Sequence, residues 1–250
     1  EWQSLWSKHF GARKKPGIWT LWEGDDLVGL YPMVEVASPW RALRPMGCGP
    51  SDYLQPLARP GWEDRVAQAV AEYLREQAKS RLVDIQQLRE SLPLAQCLGR
   101  EKRVFDQATC LVLDLPASYE DYLKTLGKSL RYDVKRMEKP PFSEGRGQIE
   151  VVGKGDAVRA VDFFFEAHKK RWSKRGLPGA FLGSRVRDFH REWASVAAQK
   201  GWLWMSLLSL EGARIGAIYA MRFGKVCYFY QSGFDPAFAS LSPGSLLVAQ

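Results

Sequence analysis

The stretch Glu211–Met221, EGARIGAIYAM, can be laid over Glu23–Met33, EGDDLVGLYPM, with four of eleven positions identical. Each carries a compact Gly-bearing turn before an apolar strand, and Ile18–Trp22 and Trp202–Leu210 supply the preceding strands, so each reads as a β-hairpin. The order of elements beyond each hairpin agrees as well. Each hairpin leads through a third strand and a loop to a helix opening on Pro-Gly, at Pro60-Gly61 and Pro243-Gly244. The offset is 188 at the hairpin (23 to 211) and 183 at the Pro-Gly (60 to 243), a difference that one short loop indel accounts for. Two copies of one unit of strands and helices are therefore expected.

Periodicity fills in the rest. Trp2 to Phe10 has helical apolar spacing, a helix is expected from Pro60-Gly61 to about Ser80 with Val66, Val70 and Leu74 on one face, and Leu92–Leu98 reads as a short helix. Strands are expected at Leu82–Leu88 and, once or twice, within Arg103–Leu115. A long helix is expected from Tyr119 to about Glu138, where Pro140-Pro141 stops it. Leu123, Leu126, Leu130, Val134 and Met137 form its apolar stripe, and Lys124, Lys128, Arg131, Lys135 and Lys139 lie opposite. The later unit reads as a strand (Gln148–Val152), two helices (Ala157–Lys174, Arg185–Gln199), three strands (Trp202–Leu210, Arg214–Phe223, Val226–Ser232) and a helix starting near Ser242.

Hydrophobic residues make up 46% of the 250 and charged residues 26%, with 10 Trp, 9 Tyr and 12 Phe, which excludes a disordered or low-complexity chain. Lys and Arg number 36 against 28 Asp and Glu, a net charge of +8. Up to Pro116 there are 15 basic and 15 acidic residues, and the remainder holds 21 and 13. The whole surplus lies in the second part, where an anionic partner is to be sought. Cys48, Cys97, Cys110 and Cys227 form no C-x-x-C pair, so no metal site or disulfide framework is signalled, and reduced, mostly buried thiols of a cytoplasmic protein are expected. No stretch approaches the roughly 18 apolar residues of a membrane span. Trp2, Trp6, Trp19 and Trp22 are expected in the core of the first unit.

The order strand, helix, helix, three antiparallel strands, loop and helix resembles the GNAT acyltransferase fold. The loop Asp235 to Leu247 resembles a GNAT acyl-CoA loop, matching it at Gly244 and the Leu246-Leu247 pair, while Ser240 or Leu241 stands where the family usually has an Arg. With Lys128 to Arg136, His168 to Gly176, Phe181, Phe189-His190 and Gly233 to Pro236, the chain is similar to the CelD-like GNAT proteins, relatives of the Fem-type peptidoglycan aminoacyltransferases. The resemblance implies an α/β (α+β) fold of two tandem GNAT-like units, each a mixed, largely antiparallel sheet flanked by helices. Residues 1–116 are expected to be a structural first unit, incomplete at its start. Residues 117–250 are expected to hold the basic helix and the catalytic second unit, left as its phosphate-loop helix begins.

The implied activity is acyl transfer from acetyl-CoA or another acyl-CoA to an amine or hydroxyl, with an envelope polysaccharide or its precursor as acceptor class. A Fem-type transfer from aminoacyl-tRNA and a non-catalytic polyanion-binding module are the alternatives. A helix N-terminus offers free N–H groups and the positive end of a dipole to a pyrophosphate. Ser242, Pro243, Gly244, Ser245 and Leu246, with Gln231, are thus the candidate donor-binding residues. The plainer reading of Ser242-Pro243 is an N-cap with Pro in the first turn. Acyl transfer needs a base, an oxyanion donor and an acid for the leaving thiolate. Tyr228, Tyr230 and Asp235 near the end of the last strand, and Glu166 and His168 on the preceding helix, are the candidates; strand aromatics and satisfied helix residues are the plainer readings. Lys128, Arg131, Lys135, Arg171 and Arg175 are candidates for holding phosphates, tRNA or an anionic saccharide, against the plainer reading of a solvated basic face.

Overall fold

A computed structural model describes residues 1–12, 14–37, 41–99, 102–107, 109–135 and 139–249. The chain divides into two compact units, Glu1–Leu111 and Val112–Gln250. Both are mixed α/β, and each sheet is flanked by helices.

The first unit contains α1 (Trp2–Phe10), β1 (Lys14–Glu23), β2 (Asp26–Val36), β3 (Ala42–Pro45), β4 (Leu57–Ala58), α2 (Glu63–Ala78), β5 (Leu82–Val83) and α3 (Pro93–Cys97). Its sheet runs β1-β2-β3-β5 with β4 on β2, antiparallel except for the parallel β3–β5 pair. Tyr31, Met33 and Leu43 of the sheet bury against Val66, Val70 and Leu74 of α2. Trp6 is buried and its Nε1 donates to the Cys48 carbonyl at 3.1 Å, whereas Trp22 is 54% exposed and stands outside the core.

Three local expectations are corrected by the structure. The strand at Leu82–Leu88 shrinks to Leu82–Val83. The described part of Arg103–Leu115 holds no strand; Val104, Phe105, Leu111 and Leu115 are all exposed. Strand propensity needs a partner ladder and a covered face to act, and this segment has neither. Finally, Gly61 has φ +87 and α2 begins at Glu63, so Pro60-Gly61 is the turn before the helix. Pro243-Gly244, by contrast, lies inside the first turn of its helix.

The second unit contains α4 (Tyr119–Thr125), α5 (Lys128–Val134), β6 (Gly147–Val151), α6 (Ala157–Ser173), α7 (Ser184–Gln199), β7 (Leu203–Leu210), β8 (Ala213–Phe223), β9 (Val226–Phe234) and α8 (Pro243–Val248). Its sheet, β6-β7-β8-β9, is antiparallel throughout. The long helix expected from Tyr119 is two helices, because Leu126 and Gly127 are extended. Arg131 stabilises the break: its Nη2 donates to the carbonyls of Lys124 (3.2 Å) and Leu126 (2.9 Å), acceptors that an unbroken helix would satisfy itself. Arg136, Met137 and Glu138, the expected end of that helix, lie outside the described residues.

The helices α6 and α7 cover one face of this sheet and α8 the other. Tyr219 of β8 meets Phe164 and His190 on the first side, while its neighbour Ile218 joins Leu208, Leu246 and Leu247 on the second. Alternation along the strand makes both faces apolar, so both need a cover.

The two hairpins are equivalent in geometry. Leu21 pairs with Gly29 and Trp22 with Leu27, leaving Val28 as the extra residue of a bulge; Leu208 pairs with Gly216 and Ser209 with Arg214, leaving Ile215. Equivalent residues are 187 apart (21 to 208, 29 to 216), one fewer than in the sequence overlay. Gly29 and Gly216 share a purpose at this register. A Cβ on Gly29 would stand 2.7 Å from Val66 of α2, and one on Gly216 would stand 3.3 Å from Pro243 and Leu247 of α8. In each unit the missing side chain lets the following helix sit close to the hairpin.

Candidate active site

The last strand carries a second bulge. Tyr219 pairs with Gln231 and Ala220 with Phe229, so Tyr230 is the extra residue of the bulge. A bulge re-aims its side chain and breaks the ladder locally. The Tyr230 ring turns toward α7, with its hydroxyl 3.4 Å from His190 Nε2, and Tyr219 places its own hydroxyl 3.5 Å from His190 Nδ1. One imidazole thus lies between two phenols. Burial pushes His190 down to about 3, so the ring is neutral, with one nitrogen able to donate and the other to accept. Burial raises Tyr219, which keeps its proton.

Phe181, from the loop between α6 and α7, sits edge-on to both His190 (5.1 Å between centroids) and His168 (4.9 Å). His168 is buried and pushed down to about 4 by burial and by the charge of Arg171. Its Nε2 is buried without a hydrogen-bond partner. The backbone leaves no slack around it: Gly179 (φ +73) passes where a Cβ would stand 3.1 Å from the imidazole, and a Cβ on Gly233 would stand 2.5 Å from the His168 backbone nitrogen. The helix α6 therefore packs directly on the backbone of β9.

On the other face a cavity of about 390 Å³ opens beside α8, lined by Arg171, Ser232, Phe234, Ser242, Gly244 and Ser245 among others. Its wall is completed by apolar groups, including Leu130, Val134 and Val248. Ser242 takes the left-handed conformation (φ 52, ψ 50), which costs a non-glycine residue about 1–2 kcal/mol. Ser242 is the N-cap with Pro243 in the first turn, as the plainer reading has it, but its hydroxyl makes no capping hydrogen bond. Pro243 has no N–H, and the N–H groups of Gly244 and Ser245 have no acceptor among the described residues. The cavity rim is therefore rich in unused donors. Leu246, by contrast, is buried in the core with Leu247, and any role it has toward a ligand falls to its backbone.

Arg171 and the serine-glycine turn are the sequence candidates brought together in this cavity. The others lie elsewhere. Asp235 is paired with Lys170 Nζ at 2.6 Å and accepts from the Ala237 N–H, which hold its carboxyl below the usual range. Glu166 is exposed and paired with Arg187 at 3.2 Å. Tyr228 is exposed on β9, while Gln231 is half-buried at the bulge. Lys128 and Arg175 are exposed, the latter over the Trp172 ring at 5.6 Å; Lys135 is half-buried at the end of α5. Sequence reasoning missed Ser232, Phe234 and the use of His190. The alternation of β9 placed Ser232 and Phe234 on one face, but the loop that brings α8 against them left no mark.

Residues 128–250 match the family described as "Acetyltransferase (GNAT) domain". Comparison with curated proteins gives no match. Among solved structures the chain is similar to "Crystal structure of FemX" with a TM-score of 0.65 at 10% identity, covering 98% of this chain and 78% of that one. It is also similar to a conserved protein of unknown function from Bacteroides thetaiotaomicron VPI-5482, with a TM-score of 0.55 at 12% identity over 99% and 75% of the two chains. At such identities the likeness is one of fold. No helix among the described residues is long and apolar enough to cross a membrane.

Proposed function

We propose that the second unit is the catalytic unit of a GNAT-type acyltransferase that takes its acyl group from acyl-CoA and delivers it to an amine or hydroxyl, an envelope polysaccharide or its precursor being the acceptor class. The observation that carries this reading is the cavity beside α8, whose rim holds unused N–H and hydroxyl donors and no acidic side chain among the described lining residues. Such a rim suits phosphate oxygens. The match of residues 128–250 to the GNAT domain supports the acyl-transfer class.

The work is divided among a few side chains. Ser242, Gly244 and Ser245 hold the donor's phosphates, and the bulge at Tyr230 re-aims that side chain. Tyr230, held by His190 on the α7 side of the edge strand β9, gives the leaving thiolate its proton and regains one from the attacking amine or hydroxyl, the donor's arm reaching it around that edge. A base with its pKa near 4 takes up protons poorly at neutral pH, and both Glu166 and Asp235 are engaged in ion pairs. Positioning, rather than a strong base, then supplies much of the rate.

Calorimetry with acetyl-CoA and longer acyl-CoAs tests the reading. Binding at micromolar levels is expected, together with its loss in Gly244→Asp. A Cβ at Gly244 meets nothing within 4 Å, so the variant should fold, and its carboxylate would repel the phosphates. The exposed cations Lys128 and Arg175 favour tRNA as the second reading. No acyl-CoA binding alongside tight, steeply salt-dependent tRNA binding would replace the first reading with the second.

A further inference from the structure

Arg171 is the one charged side chain among the described residues lining the cavity, and it does not come from the loop that forms the rim. The loop from Pro236 to Leu247 contains no Lys or Arg. Arg171 springs from α6 on the opposite face of the sheet, yet its guanidinium lies 4.9 Å from the Phe234 ring. Since β9 is an edge strand, the side chain reaches the cavity across that free edge.

Its hydrogen bonds leave one side of the fork unused. Nη1 donates to both the carbonyl oxygen (3.2 Å) and the hydroxyl (2.9 Å) of Ser232, which fixes the plane of the group, and Phe234 supports its face. Nε is buried without a partner, so a ligand meets it only if the side chain shifts; Nη2 makes no hydrogen bond among the described residues and is the donor left to meet a phosphate oxygen. We propose that Arg171 is the specificity-determining residue of this cavity: anchored by Ser232 and Phe234, it selects a phosphate-bearing donor and supplies the cation that the loop lacks. The inference rests on the acyl-CoA reading of the same cavity and adds the residue that reads the donor's charge.

The test compares acetyl-CoA with acetyl-pantetheine, which keeps the thioester arm and lacks the phosphates, by titration calorimetry on the wild-type chain, Arg171→Met and Arg171→Lys. Arg171→Met should bind acetyl-CoA about 10- to 100-fold more weakly, the usual worth of a charge-assisted hydrogen bond, with acetyl-pantetheine affinity unchanged. Arg171→Lys, which keeps the charge and loses the fork, should fall between. Unchanged acetyl-CoA affinity in Arg171→Met overturns the role of Arg171 and leaves the acyl-CoA reading standing. An equal loss for both ligands also overturns it, because that is what a merely structural arginine would produce. A wild-type chain that binds acetyl-pantetheine but gains nothing from the phosphates does so too. One that binds neither overturns the acyl-CoA reading itself.

Discussion

His190 and His168 are two imidazoles held neutral inside one aromatic nest, and the cost of that arrangement is set by pH. Their ordinary value is 6.5, lowered by burial to about 3 and about 4. Below pH 6.5 the unfolded chain binds protons that the folded chain refuses, so stability falls as pH falls, by about 1.4 kcal/mol per pH unit for each ring. The loss continues until the folded values are reached. Between pH 6.5 and 5 the histidines act above the carboxylate range, where the effect is cleanest. Urea melts at pH 7, 6 and 5 should show this slope, and His190→Gln should remove about half of it. Equal slopes in the two chains would mean that His190 is not buried as a neutral ring. The same single residues explain why the site was only partly readable from sequence. Tyr230 and His168 were identifiable as chemistry-bearing positions, but that Tyr230 is the extra residue of a bulge, and that its phenol meets His190, depends on how β8 and β9 register.

At the scale of elements, glycines decide how closely helices approach strands. The hairpin turns, α1, α6, α7 and the last three strands were all legible, because apolar period and turn residues agree there. The break between α4 and α5 was not, since the stripe of Leu123, Leu130 and Val134 continues through it, and a helix can be interrupted at one glycine without disturbing the pattern. Nor were the strands expected in Arg103–Leu115, where apolar composition was present but a partner was not. The equivalence of Gly29 and Gly216 emerges only from strand pairing, one residue away from the overlay of identical letters. It makes a paired prediction. Gly29→Ala would drive a methyl to 2.7 Å from the β-branched Val66, at a cost of about 1–3 kcal/mol. Gly216→Ala meets the end of Leu247 and the Pro243 ring at 3.3 Å, with the Phe234 Cβ at an ordinary 3.5 Å, so α8 can give by a few tenths of an ångström. Thermal melts should therefore rank Gly29→Ala as the more destabilised. Gly216→Ala, which shifts the helix bearing Ser245, should be the one that weakens acetyl-CoA binding, by severalfold. The reverse ranking in either measurement would refute the close-approach argument.

At the scale of the whole chain, the charge surplus of +8 falls entirely beyond Pro116, yet among the described residues only one of those cations, Arg171, lines the cavity. Much of the rest is locally engaged: Lys170 with Asp235, Arg187 with Glu166, Arg191 with Asp162 and Asp188, Arg146 with Glu144 and Glu211. Exposed pairs of this kind contribute at most about 1 kcal/mol each and are weakened by salt. Lys169 and Lys174, at the C-terminal end of α6, are exposed and belong to no ion pair among the described residues. If donor recognition resides in the cavity, these lysines are dispensable for it; if the second unit works as a broad polyanion surface, they are central. The double substitution Lys169→Glu, Lys174→Glu separates the two. Acetyl-CoA affinity should stay within about twofold of wild type, because neither lysine lines the cavity and exposed charges act weakly through water at physiological salt. Any residual tRNA affinity should fall, and the slope of its salt dependence should shrink by roughly one unit for each phosphate contact removed. A tenfold loss of acetyl-CoA affinity in this variant would move the donor site from the cavity beside α8 to the basic end of α6.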